Sequence, residues 1–235
     1  MLEFGLAMTE KDLKIYAPVI STYGRIAAMT AEEVGLAWEN VPTHGEAAGH
    51  RARHPFQKTP AVEIDGHSLF ETIAICQYVD DVYGGGGLQP TDPLDRARMT
   101  QWVSIANAYI FPTTENGLIL PRLVVPMMGG QPREELIEQA LPTIAYQMTL
   151  VSSRLEEAPY LAGNGFSLAD IFMYCILRAV QLTPEGRMIF DQLLPLKKWI
   201  GVVSTRASAK ATAWTTEDSI NELDLPAPPS QPPQG

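Results

Sequence analysis

Apolar positions change their spacing along this chain near residue 90. Residues 13–83 mix short alternating runs with two runs of helical period, whereas residues 93–215 carry the helical period almost throughout. In the first part, Leu13–Ala17 alternates as a short strand. Arg25–Val34 sets Ile26, Met29 and Val34 on one helical face, with Gly35 as its stop. Leu36–Val41 reads as a second strand, and residues 43–54 as a short helix or an irregular loop. Ala61–Ile64 and His67–Phe70 flank Asp65-Gly66, a pair suited to a type I′ turn because both central positions need positive φ. A helix is predicted from about Thr72, with Ile75, Cys76, Val79, Val82 and Tyr83 in a buried stripe. The order is β-α-β, a connecting segment, then β-β-α. A β-α-β crossover makes a parallel pair and the hairpin an antiparallel one, so a small, mixed, four-stranded sheet is expected.

The second part reads as a helical bundle. Asp92-Pro93 supplies an N-cap and a first-turn proline. Ile137, Leu141, Ile144, Met148, Val151 and Leu155 alternate by four and three, the mark of a long packed helix, and Pro142 inside that stripe is expected to kink it or mark a restart. Ser167-Leu168-Ala169-Asp170 has capping-box spacing, a structural device. Gly84-Gly85-Gly86-Gly87 ends one helix and opens a linker. The organisation expected is an extension (1–12), an α/β domain (13–84), a linker (85–92), an all-α domain (93–222) and a Pro-rich extended or disordered tail (223–235).

Composition narrows the functional classes. Hydrophobic residues make up 46% and charged residues 19%, enough apolar material for a core. A net charge of −10 argues against nucleic acid, which needs a cationic face. No stretch approaches the ~20 apolar residues of a membrane span, and the start does not read as a signal peptide. Two cysteines, Cys76 and Cys175, fit a reducing compartment, and both fall on apolar stripes as core residues. The expectation is a soluble, cytoplasmic protein. Without a Cys-x-x-Cys pair, dithiol redox chemistry is excluded. His50 and His54 stand four apart, as helical metal ligands do. Nothing completes such a site, so they read as exposed surface histidines and no metal is expected.

Three segments carry more specific information. They are Tyr16-Ala17-Pro18-Val19-Ile20-Ser21-Thr22-Tyr23-Gly24-Arg25, then His54-Pro55-Phe56-Gln57-Lys58-Thr59-Pro60-Ala61-Val62 leading to Phe70-Glu71-Thr72-Ile73-Ala74-Ile75, and finally Tyr160-Leu161-Ala162-Gly163 with Phe166-Ser167-Leu168-Ala169-Asp170-Ile171. In this order and spacing the chain resembles the cytosolic glutathione S-transferases over roughly residues 13–210. The resemblance implies a thioredoxin-like N-terminal domain, a helical C-terminal domain and a homodimer. It also implies glutathione as co-substrate and a small hydrophobic electrophile as the second substrate. Thr72, with Ser in most relatives, would grip the γ-glutamyl carboxylate at a helix N-terminus, and Glu71 would face the ammonium group. Pro60 takes the place of the family's cis-proline, so Thr59 would present its backbone to the cysteinyl unit. Lys58 would pair with the glycine carboxylate. Gln57 is a weaker candidate.

Ser21 stands where the family's thiol partner lies, with Thr22 and Tyr16 as rivals. A serine hydroxyl can donate a hydrogen bond to a thiolate, and a helix N-terminus adds favourable potential. The same serine would equally serve as the cap of the first helix. Tyr109, Phe111 and Leu118, on the first helices after the linker, are candidates for the electrophile wall. The expected activity is transfer of glutathione's thiol to an electrophile. The alternative is a non-catalytic binding or interaction protein on the same scaffold.

Overall fold

The computed structural model describes residues 12–43 and 47–213, so almost all of the expected extension (1–12) and the whole Pro-rich tail (223–235) lie outside the described residues. Four strands form one mixed sheet in the order β2-β1-β3-β4. The central strand β1 (Leu13–Tyr16) runs parallel to β2 (Trp38–Val41), with Leu13 opposite Trp38, and antiparallel to β3 (Ala61–Ile64), with Leu13 opposite Ile64. β4 (His67–Phe70) closes the hairpin on β3. Its turn is set by Asp65 and Gly66 at φ 51° and 75°, the positive values that an Asp-Gly pair tolerates. The Asp65 carboxylate accepts hydrogen bonds from the Tyr78 and Tyr83 hydroxyls at 2.8 and 2.6 Å, which fastens this turn to the following helix.

Three helices complete the first domain: α1 (Thr22–Val34), α2 (Ala47–Arg53) and α3 (Thr72–Tyr83). α1 begins three residues before its apolar period does, because Ser21 caps it and accepts from Gly24 N–H at 3.1 Å. It ends at Gly35, whose φ of 73° lets its N–H reach back to the carbonyls of Ala31 and Glu32. Ala27, Ala28 and Ala31 of α1 and Ile75 and Val79 of α3 pack against Leu13, Ile15, Val62 and Ile64 of the sheet. In the last turn of α3 the fully buried Asp80 accepts from Leu88 N–H of the linker, and the Leu88 carbonyl accepts from Leu168 N–H. The linker is thereby tied to both domains.

The second domain opens with α4 (Pro93–Ile105), capped by Asp92. This helix does not stop at Ile105. It continues through a π-helical turn (Ala106–Ile110), an α turn (Phe111–Thr114), a longer π-helical segment (Glu115–Val124) and a last turn (Val125–Met127). Pro112 and Pro121 lie inside this run and have no N–H to give the ladder, and the wider turns fit around them. α5 (Glu134–Glu157) is one uninterrupted helix. The expected restart at Pro142 does not occur: the ring sits on the exposed side of the helix. α6 (Leu168–Gln181) is buried almost all round and forms the axis of the bundle, with α7 (Pro184–Gln192), α8 (Leu194–Ser204) and α9 (Ala207–Ala211) packed about it.

One core crosses the domain boundary. Ile26 and Met29 of α1 and Cys76 of α3 pack with Phe172, Cys175 and Ile176 of α6, each such buried apolar side chain being worth ~1.5–3 kcal/mol. Both thiols are fully enclosed, and burial pushes Cys76 up to about 12 and Cys175 up to about 11, so neither is a nucleophile at neutral pH. Polar contacts fix the angle between the domains. Arg25 donates to the Ala209 carbonyl at 3.1 Å, and Arg206 reaches both oxygens of Glu33 at 2.6 and 2.5 Å.

Candidate active site

The loops at the C-terminal end of β1 and before β3, the N-terminus of α3 and the π-helical rod of the second domain enclose a cavity of about 590 Å³. Its walls differ in kind. On the sheet side lie Ser21, Thr22, Lys58, Thr59, Pro60, Glu71 and Thr72. On the helical side lie Phe111, Ile119, Leu120, Leu123, Val124 and Met127. The sheet side is thus the more polar, and on the helical side Asn107 and Glu115 interrupt an otherwise apolar wall.

Ser21 caps α1 and also lines the cavity. Its Oγ accepts the Gly24 N–H as cap of α1, which leaves the hydroxyl hydrogen to be donated elsewhere. The nearest side-chain oxygen is Thr59 Oγ1 at 3.3 Å. Thr22, the first residue of α1, also lines the cavity. Tyr16 does not. Its hydroxyl donates to Glu63 at 2.7 Å, Arg53 stacks on its ring, and burial together with that carboxylate raises its pKa. As a rival for the thiol it is removed by position: β1 turns it away from the cavity.

The Thr59–Pro60 bond is cis. Lys58 is exposed at the cavity rim while its carbonyl is bound by His50 Nε2 at 2.7 Å. At the other side of the polar end, Glu71 holds φ at 69°, a conformation rare outside glycine and concentrated at functional sites. Glu71 makes no side-chain cap for α3, so the first N–H groups of that helix, from the buried Thr72 onward, are not covered by a protein carboxylate. This is an anion site in waiting.

Two of the three residues expected in the electrophile wall lie elsewhere. Phe111 is in the cavity. Tyr109 is 64% exposed on the outer side of the rod, and Leu118 is fully buried in the core. The π turns explain the register. Asn107, Phe111, Glu115, Ile119, Leu123 and Met127 face the cavity at intervals of four. On an α-helix such positions would drift by about 40° per step and spiral off the wall. The wider π turns drift the opposite way and hold the row in line.

The histidines also differ from expectation. His50 and His54 are 7% and 2% exposed, because α2 lays them against the sheet rather than in solvent. His54 packs on Phe70 with ring centroids 5.0 Å apart and lines the cavity. Burial holds its imidazole below the usual histidine range. Tyr23, unremarked in the sequence, bridges the domains: its ring meets Phe111 edge-on at 4.7 Å and its hydroxyl donates to Asn107 Oδ1 at 3.0 Å. Burial, then the carboxylates of Glu115 and Glu71, push the Tyr23 phenol far up, so it stays protonated.

Away from the cavity, Ser167 and Asp170 form a capping box on α6. Asp170 also accepts from Leu161 N–H and Trp199 Nε1–H. Among the described residues no group of three or more His, Cys, Asp or Glu is placed to hold a metal ion.

Comparison with known proteins bears on this geometry. Residues 12–81 match the glutathione S-transferase N-terminal domain and residues 116–206 the glutathione S-transferase C-terminal domain. The chain belongs to the glutathione S-transferase family. It is 27% identical over 207 residues to glutathione S-transferase 1 of Zea mays, covering 86% of this chain and 95% of that one. To glutathione S-transferase PM239X14 of Arabidopsis thaliana it is 31% identical over 170 residues, covering 68% and 78%. Among solved structures, glutathione S-transferase-I bound with lactoylglutathione superposes with a TM-score of 0.79 at 26% identity, over 86% of this chain and 98% of that one. The maize glutathione S-transferase I in complex with an atrazine glutathione conjugate gives 0.77 at 26% identity, over 86% and 96%. The thioredoxin-like domain, the helical domain and the enzyme class follow: this is a glutathione S-transferase, and glutathione is its co-substrate.

Proposed function

We propose that this transferase binds glutathione along the polar end of the cavity and delivers its sulfur, as thiolate, to a hydrophobic electrophile held on the helical wall. The observation that carries the reading is the meeting, in one cavity, of the Ser21 hydroxyl, 3.3 Å from Thr59 Oγ1, an uncapped helix N-terminus and a largely apolar wall. The γ-glutamyl carboxylate sits at the N-terminus of α3 with the Thr72 hydroxyl, and Glu71 takes the ammonium group. Thr59 pairs through its backbone with the cysteinyl unit, and Lys58 meets the glycine carboxylate.

Ser21 is the thiol partner. Moving a thiol pKa down by two units requires ~2.7 kcal/mol. A hydroxyl donated to a thiolate and the positive end of α1 are together of that size. Thr22 is the alternate donor. The electrophile rests against Phe111, Ile119 and Leu123, where proximity to the thiolate replaces a bimolecular encounter. The thiol proton leaves to solvent, the sulfur's electron pair forms the bond to the electrophilic atom, and a leaving group departs with the electrons of the bond that breaks; this is the role of a detoxifying conjugation. We further assign a homodimer, supported by large apolar side chains left in solvent, Phe56 at 71% and Tyr146 at 64% exposure among them. A cytoplasmic setting is supported by two enclosed free thiols.

The test is a calorimetric titration with glutathione of the wild type and of Thr72→Ala. A loss of about tenfold or more in affinity is expected, since one hydrogen bond to a charged group is worth ~1.5–3 kcal/mol. Equal affinities would remove Thr72 from the site.

A further inference from the structure

Glu115 has no evident task in binding glutathione. It stands on the π-helical segment of the rod, on the opposite side of the cavity from the α3 N-terminus, with Ile119, Leu120 and Leu123 following it along the wall. Among the described residues its carboxylate has neither an ion-pair partner nor a hydrogen-bond donor. Burial alone raises its pKa, with no cation to offset it. The other charged groups lining the cavity are Lys58 and Glu71, and the titratable ones His54 and Tyr23. Tyr23 feels both Glu115 and Glu71, but its hydroxyl is spent on Asn107.

A half-buried carboxylate without a counter-ion is costly, and an apolar ligand that strips its remaining water makes it costlier. A ligand carrying positive charge relieves that cost. The bound co-substrate deepens the asymmetry, since glutathione as thiolate has two carboxylates and one ammonium. Lys58 offsets only part of this, so the occupied cavity as a whole keeps excess negative charge.

We propose that Glu115 is a specificity-determining residue that selects electrophiles bearing a cationic nitrogen, such as a protonated or quaternary amine, over neutral or anionic ones of the same shape. The inference rests on the functional reading above and names its substrate class. The cationic nitrogen sits beside the carboxylate, while the electrophilic carbon is turned toward Ser21 and the sulfur. The π-helical segment has a purpose in this account. It brings a carboxylate into a row whose other members, apart from Asn107, are apolar.

Three chloronitrobenzenes test it, one carrying a trimethylammonium-methyl group, one a neopentyl group of similar shape and one a carboxylate. Values of kcat/KM, each divided by the uncatalysed rate with glutathione, are compared for the wild type and Glu115→Gln, which keeps size and removes charge. The wild type is expected to favour the cationic over the neutral compound by about tenfold or more, and the carboxylate to be poorest. In Glu115→Gln the cationic-to-neutral ratio falls toward one. A wild type without that preference, or a ratio unchanged by the substitution, overturns the proposal. Equal losses on all three compounds leave the ratio unchanged and point to a part in packing or proton transfer instead. Glutathione affinity is measured alongside. Turnover of the neutral compound with normal glutathione binding but no charge preference ends this proposal and leaves the functional reading standing. Absence of glutathione binding ends both.

Discussion

Replacing Asp170 with alanine should unfold this protein more readily than any single change at the active site. Each carboxylate oxygen accepts two hydrogen bonds. Oδ1 takes Leu161 N–H and Trp199 Nε1–H at 3.1 Å each, and Oδ2 takes Ser167 N–H and Ser167 Oγ–H at 3.0 Å each. The residue is fully buried, so the stranded donors have no water at hand. The Ser167 hydroxyl can rotate to another acceptor. The two backbone N–H groups and the indole cannot, and each costs ~1–3 kcal/mol when left unpaired. Allowing one water to enter the space of the lost carboxyl, the expected loss is about 4 kcal/mol, a large share of the ~5–15 kcal/mol of an ordinary domain. With a urea m-value of ~2–3 kcal/mol/M the midpoint should drop by roughly 1.5 M. The assay is equilibrium urea unfolding at fixed protein concentration, followed by tryptophan fluorescence. A loss below ~1 kcal/mol would refute the reasoning, because a capping box alone accounts for that much. Burial pushes this carboxyl up to about 6 against the pull of its four donors. A pKa raised in the folded state means that the folded chain holds a proton the unfolded chain has lost between about pH 4 and 6. The contribution of Asp170 to stability is therefore full below that window and declines as pH rises through it. In Asp170→Asn that pH-dependent part is absent.

Two further predictions concern the cavity walls. A Cβ added at Gly117 would stand 2.3 Å from Ala140 Cβ, so Gly117→Ala must push the π-helical rod off α5. We expect a stability loss of ~1–3 kcal/mol and a fall in kcat/KM for hydrophobic electrophiles, with glutathione affinity kept; unfolding and steady-state kinetics measure both, and an unaffected kcat/KM would contradict it. His54 titrates below the ordinary histidine range because it is buried, with Glu71 opposing that shift and His50 and Lys58 adding to it. As pH falls below about 6.5 the unfolded chain takes a proton that the folded chain refuses. Stability is lost on the acid side, and His54→Asn should show a smaller loss between pH 7 and 5; parallel curves would exclude His54 as the cause.

Local chemistry decided how much of this fold was legible in the sequence. The β3–β4 hairpin was found to the residue, because Asp65-Gly66 admits one kind of turn, and Gly35 marked the end of α1 for a similar reason. Where tertiary context overrides local pattern, the reading failed. His50 and His54 are buried by the docking of α2, which polar spacing does not reveal. Tyr109 and Leu118 were misplaced because lying on the first helices after the linker does not fix which face meets the cavity, and the π turns set that face here. Of the kink or restart expected at Pro142, the restart is absent: α5 runs on with the ring on its exposed face. The capping box was visible as Ser167-x-x-Asp170. The indole of Trp199 and the backbone of Leu161 on the same carboxylate were not, since nothing in the spacing joins them. The glutathione-facing candidates were legible because short motifs carry them, whereas Glu115 belongs to no motif.

The account turns on whether Ser21 stabilises a thiolate, and the most direct measurement is the ultraviolet absorbance of bound glutathione against pH. In the wild type the midpoint should lie ~2 units below that of a free thiol, which titrates near 8.5. In Ser21→Ala it should return at least ~1 unit toward that value, with glutathione still bound. Bound glutathione whose midpoint is the same with and without the Ser21 hydroxyl would contradict the account.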